Sequence, residues 1–341
     1  MIKTSLFADQ EREAKLNKLG DALVVMERHV DFAALAAEVD LAAPRPSRER
    51  GGRPPFPTEL MVRVLLIQQL FNLSDEQMEF QLLDRLSFQR FAGLRASSQI
   101  PDRTTIWTFK ERLIQAGASE SVFDAVNRQL SQHGYIARGG QMIDASIVQA
   151  PKQSLNKEEK TLVMQGAIPA GWKPAKRRQK DTQARWTKKH GKSYFGYKVS
   201  VNADKRYKLV RKIKVSTASE HDTTHFEEVL DPSNTNRNIL ADKGYVDGER
   251  EARLNKQGWR MHIQRKGSKD KPISDAQQRR NHRIAKTRAR VEHVFAGMAQ
   301  MGGKALRSIG LARATLHLNW KVAAYNLQRL VYLKEAGIEA F

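Results

Sequence analysis

The stretch Gln141-Met142-Ile143-Asp144-Ala145-Ser146-Ile147-Val148 constrains this chain more than any other. It has the apolar, β-branched content of a short strand, with one carboxylate in its middle. Aspartate is depleted from strands, and a buried charge is costly unless it is paired or bound to a metal. Asp144 therefore asks for a partner, and two further acids stand in comparable places. Asp242 closes a second apolar run, Asn238-Ile239-Leu240-Ala241, and Glu292 lies in a basic helical stretch from Arg288 to Phe295. Two strand aspartates and one helix glutamate, far apart in sequence, suggest a divalent-metal site built from oxygen ligands. Each acid also has a plainer explanation. Asp242-Lys243-Gly244 reads as a turn, and Glu292 is placed to pair with Arg288 one helical turn back.

Charge narrows the partner. Over 341 residues, 59 Lys and Arg stand against 37 Asp and Glu, a net +22. Such an excess does nothing for folding and favours a polyanion, most simply nucleic acid. There is no cysteine, which excludes disulfides, thiolate zinc sites and thiol catalysis and suits a reducing compartment. Residues 1–20 are charged and lack the apolar stretch of a signal peptide, and the run from Leu60 to Leu70 is too short to span a bilayer. A soluble intracellular protein with no membrane partner is expected.

Residues 1–43 carry a loose helical periodicity, and 44–57 form a Pro/Gly/Arg-rich linker containing Arg53, either an arm along a phosphate backbone or a solvated hinge. From Thr58 the apolar spacing becomes strongly helical. Ser74 to Gln77 has the form of a capping box, and further helix starts fall at Ser87, Pro101 and Ser119, with Gly134 as a stop. These short helices, one bearing Arg103, Lys110 and Arg112, suit either a helix-turn-helix-like DNA reader or a plain helical bundle. After Gly139-Gly140 the period changes to that of strands. The polar segment 151–192 holds 12 Lys and Arg against 3 acids, with Trp172 and Trp186 among them. It reads as an insertion suited to phosphate contact and base stacking, or as a charged loop anchored by its tryptophans. Strands follow at 194–202 and 207–217, then a short helix from His221 to Leu230, the strand ending in Asp242, a helix near 247–257, a strand at 259–264 and a long helix from Ala312. Three strands in a meander, then helix, strand, helix, strand and a helix carrying Glu292, is the order a ribonuclease H-like core needs. His221 and His225 share one helical face but have no third zinc ligand nearby, and zinc is set aside.

At these residues the chain resembles bacterial insertion-sequence transposases with a DDE triad, of the group named after insertion sequence five. The resemblance rests on ordered blocks along most of the chain: Gly52 to Phe56, Ile100 to Thr105, Ile143-Asp144-Ala145-Ser146, Asp181 with Arg185 to Lys189, Lys192 to Lys198, Glu220-His221-Asp222, Ala241 to Tyr245, Arg290 to Phe295, and Arg307 to Arg313. It implies an α/β fold: a ribonuclease H-like catalytic core, a mixed sheet flanked by helices, at 136–341 with the basic insertion at 151–192. An all-helical DNA-binding domain would take 51–135, preceded by a helical arm and linker at 1–50. It implies cleavage at terminal inverted repeats and transfer of 3′ ends into target DNA, with Asp144, Asp242 and Glu292 holding two Mg²⁺ ions, or Mn²⁺ in their place. Lys243 and Arg288 would contact phosphate. Arg290, Arg53, Arg103, Lys110, Lys176, Arg177, Arg178, Trp186, Lys188, Lys189 and Lys198 would line the grip on double-stranded DNA. Two ends must be handled together, so a homodimer on DNA is expected, in the bacterial cytoplasm at the nucleoid. The wider superfamily's Tyr and Lys around the last acid are replaced here by Ala285 and Ala299. The readings from other classes are a transposase-derived DNA-binding regulator without catalysis, and a structure-specific nuclease without strand transfer.

Overall fold

The structure is a computed structural model describing residues 5–45, 51, 54–95, 97–268 and 272–340. Arg53, in the basic linker, lies outside the described residues. Among the described residues eight helices come first: α1 (Ala8–Leu19), α2 (Ala22–His29), α3 (Phe32–Ala42), α4 (Thr58–Leu70), α5 (Asp75–Asp84), α6 (Leu86–Phe91), α7 (Arg103–Gln115) and α8 (Ser121–Gln132). Their starts follow local chemistry. The Ser74 hydroxyl accepts from the Gln77 N–H while Gln77 reaches back to the Ser74 N–H, and the Asp102 carboxylate accepts from the Thr105 N–H at 2.6 Å.

The second half alternates strands and helices. They are β1 (Gln141–Gln149), α9 (Lys157–Met164), α10 (Pro174–Arg178), β2 (Arg185–Lys189), β3 (Lys192–Asp204), β4 (Val210–Thr217), β5 (Asn238–Ala241), α11 (Gly248–Lys256), β6 (Arg260–Ile263), α12 (Asp275–Arg288), α13 (Arg290–Gln300) and α14 (Leu311–Glu335). β1 runs antiparallel to β3, from Gln141 opposite Asp204 to Gln149 opposite Gly196. β2 and β4 share the far edge of β3, while β5 and β6 add in parallel beyond β1. Strands β4, β3, β1, β5 and β6, an antiparallel meander extended by two parallel strands, are the order expected of a ribonuclease H-like core, with β2 added by the insertion.

Both faces of β1 are covered, which is why its sequence is a continuous apolar run. Met142 and Val148 join the larger core, shared with the N-terminal helices and α14, whereas Ile143 joins a smaller one with Phe226, Ile239, Leu254 and Trp259. Alternation places Asp144 on the Met142 side, where α13 packs. At Gly196 the two strands approach closely: a Cβ there would lie 2.2 Å from the Val148 carbonyl oxygen.

α14 packs against α2, α4, α7, α8, α13 and the sheet, so it is buried around its circumference rather than along one stripe. Its polar residues meet internal partners. The Lys321 ammonium donates to the carbonyls of Gln69 (2.7 Å) and Met301 (2.6 Å), at the ends of α4 and α13. The Asn326 carboxamide pairs with the N–H and C=O of Val210.

One sequence expectation fails here: His221 to Leu230 is a series of turns, not a helix. Its bonds, Thr224 N–H to His221, Phe226 N–H to Thr223 and Leu230 N–H to Glu227, each span three residues. The side chains are engaged elsewhere. Asp222 pairs with Lys198, and the two nitrogens of His225 face Glu220 and Glu228 at 2.7 and 2.6 Å.

Candidate active site

The parallel register that pairs Met142 with Leu240 reaches, two residues further on, Asp144 and Asp242. Neighbouring strands lie about 4.8 Å apart, so the two carboxylates stand side by side, Asp144 within β1 and Asp242 just past the end of β5. Asp242 sits one residue past β5, and its Oδ1 accepts from the Gly244 N–H at 2.7 Å to start the 3-10 turn Lys243–Tyr245. Asp144 Oδ1 accepts from the Ala145 N–H at 2.9 Å, and Oδ2 accepts from Arg288 Nη1 at 2.6 Å. Burial pushes the Asp144 pKa above the usual aspartate value. Arg288 opposes that shift, the Asp242 charge adds to it, and Lys189 opposes it.

Glu292 lies in the first turn of α13, where the chain restarts after a break at Ala289. Its side chain is 67% exposed, and its Oε1 is 3.8 Å from Arg288 Nη2. One guanidinium thus stands between Asp144 and Glu292. Among the described residues no three His, Asp or Glu side chains converge as a formed metal site. The donor chemistry nevertheless fits a hard divalent cation at Asp144 and Asp242: two neighbouring carboxylates repel each other, and a cation already neutralises one of them. Glu292 faces the same guanidinium from the solvent side.

The other residues singled out in the sequence separate into groups. Trp186, Lys188 and Lys189 lie exposed on β2, with Trp186 against Phe195 at 5.3 Å between ring centroids. Lys243 is exposed beside Asp242, and Arg290 donates to the Lys205 carbonyl at 3.2 Å. Lys198 is buried, its ammonium donating to the Glu220 carbonyl at 2.6 Å and pairing with Asp222. On α7, Arg103 is exposed 3.7 Å from Glu76, but Lys110 pairs with Asp75, and Arg112 is mostly covered and faces Asp40 at 3.8 Å. On α10, Lys176 pairs with Glu159 at 2.5 Å, Arg177 is exposed, and Arg178 lines a cavity beside α4 and α7.

Two residues of these blocks have surroundings that no sequence pattern reveals. The Tyr245 hydroxyl is buried without a hydrogen-bond partner, and burial together with Asp144, Asp222 and Asp242 pushes its pKa far up. Its only sequence signal is its place three residues after Asp242. Asp181, 1% exposed, accepts from the N–H groups of Gln183, Ala184 and Gly310 and from the Tyr197 hydroxyl. It ties the insertion to β3 and to the start of α14.

The strand order and the paired aspartates fit the ribonuclease H-like class of nucleic-acid enzymes. Residues 137–327 match the family described as "Transposase DDE domain", and residues 10–112 match a second described as "Transposase domain (DUF772)". The first match takes in more than half of the chain, and the protein belongs to the DDE transposase family, a family of DNA transposases. A solved structure similar to it is "Cryo-EM structure of piggyBac transposase synaptic complex with hairpin DNA (SNHP)", at a TM-score of 0.46 and 13% identity, covering 94% of this chain and 77% of that one. Among the described residues no helix is long and apolar enough to cross a membrane.

Proposed function

We propose that this transposase, of the insertion-sequence-five group, cleaves at the terminal inverted repeats of its element and transfers the 3′ ends into target DNA. The observation that carries this reading is the placement of Asp144, within β1, beside Asp242 at the end of the neighbouring strand β5, with Arg288 between Asp144 and Glu292. Asp144 and Asp242 would hold Mg²⁺, or Mn²⁺ in its place, and Glu292 would complete the set once the guanidinium yields its position. Two ions bound there would supply charge stabilisation and activation of the attacking oxygen in an in-line displacement at phosphorus.

The chain's own residues do the rest. Arg288 neutralises Asp144 before DNA arrives and is then free to turn to a phosphate. Lys189, whose charge acts on Asp144, and Lys243, next to Asp242 in the chain, offer exposed positive charge that favours a backbone; Lys188 adds to it on β2, and Trp186 offers a face to a base. Arg103, Arg177, Arg178 and Arg290 would extend the basic path, on a helical DNA-binding region at 51–135 and a catalytic region at 136–341. A homodimer would bring two ends together.

The test is Mg²⁺-dependent nicking and joining of DNA carrying the element's ends, by the wild type and by Asp144→Ala. Cleavage and joining by the wild type, with Asp144→Ala binding DNA but inert, is the expected result. Equal binding by both forms with no cutting under any metal would replace this reading with a DNA-binding regulator. Cutting without joined products would leave a nuclease.

A further inference from the structure

A cavity of about 420 Å³ opens where the C-terminal end of α4, the middle of α7, the end of α10 and the first turns of α14 meet. None of Asp144, Asp242 and Glu292 lines it. Its volume falls within the roughly 300–1,000 Å³ of small-molecule sites.

Charge in its wall is unbalanced. Lys110 pairs with Asp75, and Arg313 makes a two-pronged pair with Glu111 at 2.6 and 3.0 Å. Among the described residues Arg307 donates to the carbonyl and carboxamide oxygens of Asn72, at 2.9 and 3.1 Å, and no carboxylate pairs with it or with Arg178. Two guanidinium groups, the side chain best matched to phosphate, are therefore left uncompensated.

The interior has unmet hydrogen-bonding capacity. Gln69 is 5% exposed and its Oε1 has no partner, nor has Nε2 of His317. Buried polar atoms are nearly always satisfied, and those that are not call for an explanation such as an absent ligand. Burial, with Lys321, Lys110 and Arg307, lowers the His317 pKa to about 3, so its ring is neutral and serves as a hydrogen-bonding edge in a positive field. Trp107, half exposed at the rim, offers an aromatic face.

We propose that this cavity binds a nucleotide unit, its base inside against Gln69 and His317 with Trp107 alongside, and its phosphate on Arg178 and Arg307. A planar heterocycle with a donor–acceptor edge satisfies the interior, and an anionic end satisfies the mouth. The same unit has two sources: a free nucleotide, or an unpaired nucleotide at the end of a bound DNA strand. Neither depends on cleavage chemistry at the carboxylates.

Calorimetric titration with deoxyadenosine monophosphate, in EDTA, tests this on the wild type, Trp107→Leu, Arg307→Gln and Asp144→Ala. Binding by the wild type and Asp144→Ala, weakened at least tenfold in the first two variants, is expected. Trp107 is exposed enough for its variant to fold, which circular dichroism checks. A blunt duplex and the same duplex with a three-nucleotide overhang separate the sources. Preference for the overhang, lost in Trp107→Leu, identifies the strand, whereas mononucleotide binding without such a preference identifies the free nucleotide. No mononucleotide binding together with no overhang preference, or binding that both Trp107→Leu and Arg307→Gln retain in full, overturns the proposal. Because Asp144→Ala keeps this site, failure of the transposition reading leaves the result independent.

Discussion

Replacing Arg288 by alanine probes the site most directly. The Arg288 and Asp144 side chains are only 17% and 20% exposed, so the variant leaves a mostly covered carboxylate next to Asp242 without its hydrogen-bonded guanidinium, Lys189 acting on it only as a further charge. Breaking a fully buried pair in this way costs about 3–5 kcal/mol. With a fifth of each side chain open to solvent, about 2–4 kcal/mol is expected, or a Tm lowered by about 3–6 °C in a chain of this size. The penalty exists only while Asp144 is ionised. Its folded-state pKa is already raised and rises further without the guanidinium, so the gap from wild type closes as pH falls through that raised value towards the ordinary 3.8. Magnesium supplies a second arm. A cation at 100 times its Kd adds about 2.7 kcal/mol by mass action. In Arg288→Ala it has no guanidinium to displace, so its effect should exceed that in the wild type. Thermal melts of both proteins at pH 7 and pH 5, with and without Mg²⁺, measure all of this. A variant melting within a degree of wild type without metal, or gaining no more from Mg²⁺ than wild type does, refutes the reasoning.

Replacing Lys188 and Lys189 together by alanine should weaken DNA binding regardless of sequence and reduce the slope of log K against log salt by about 2, near 0.9 per phosphate contact. An unchanged slope would remove β2 from the DNA path. Asp181→Ala strips acceptors from three backbone N–H groups and the buried Tyr197 hydroxyl, so urea unfolding should show a loss of about 3–5 kcal/mol; a loss under 1 kcal/mol would mean that water takes over these bonds. Lys321→Met should flatten the alkaline stability profile. Burial lowers the lysine pKa from 10.5 to about 7, so the folded state sheds its proton first, and wild-type stability should rise between those values. At about 1.4 kcal/mol per pH unit the rise is at most about 5 kcal/mol, and equal profiles for the two proteins would contradict it.

Most elements were legible because local chemistry decides them. The alternation Phe195, Tyr197, Val199, Val201 makes β3, and Ser74 with Gln77 starts α5, whatever surrounds them. Asp144 stood out because a carboxylate in an apolar strand is expensive, and that expense is visible in one dimension. Its partner was not. Arg288 meets Glu292 at the i,i+4 spacing the sequence shows, but it reaches Asp144 from a helix 144 residues further along the chain, which no local pattern marks. Which cations are free to meet a backbone was equally hidden. Lys110 and Lys198 look like Lys188 in sequence, yet Asp75 and Asp222 engage them through contacts 35 and 24 residues away along the chain. The same holds for α14, where nothing in the local sequence marks Lys321 and Asn326 as buried. In the fold they satisfy carbonyls that α4, α13 and β4 leave unpaired. Polar residues carry function or hold a core together according to what packs against them, and periodicity, which records only the apolar side of packing, cannot tell the two apart.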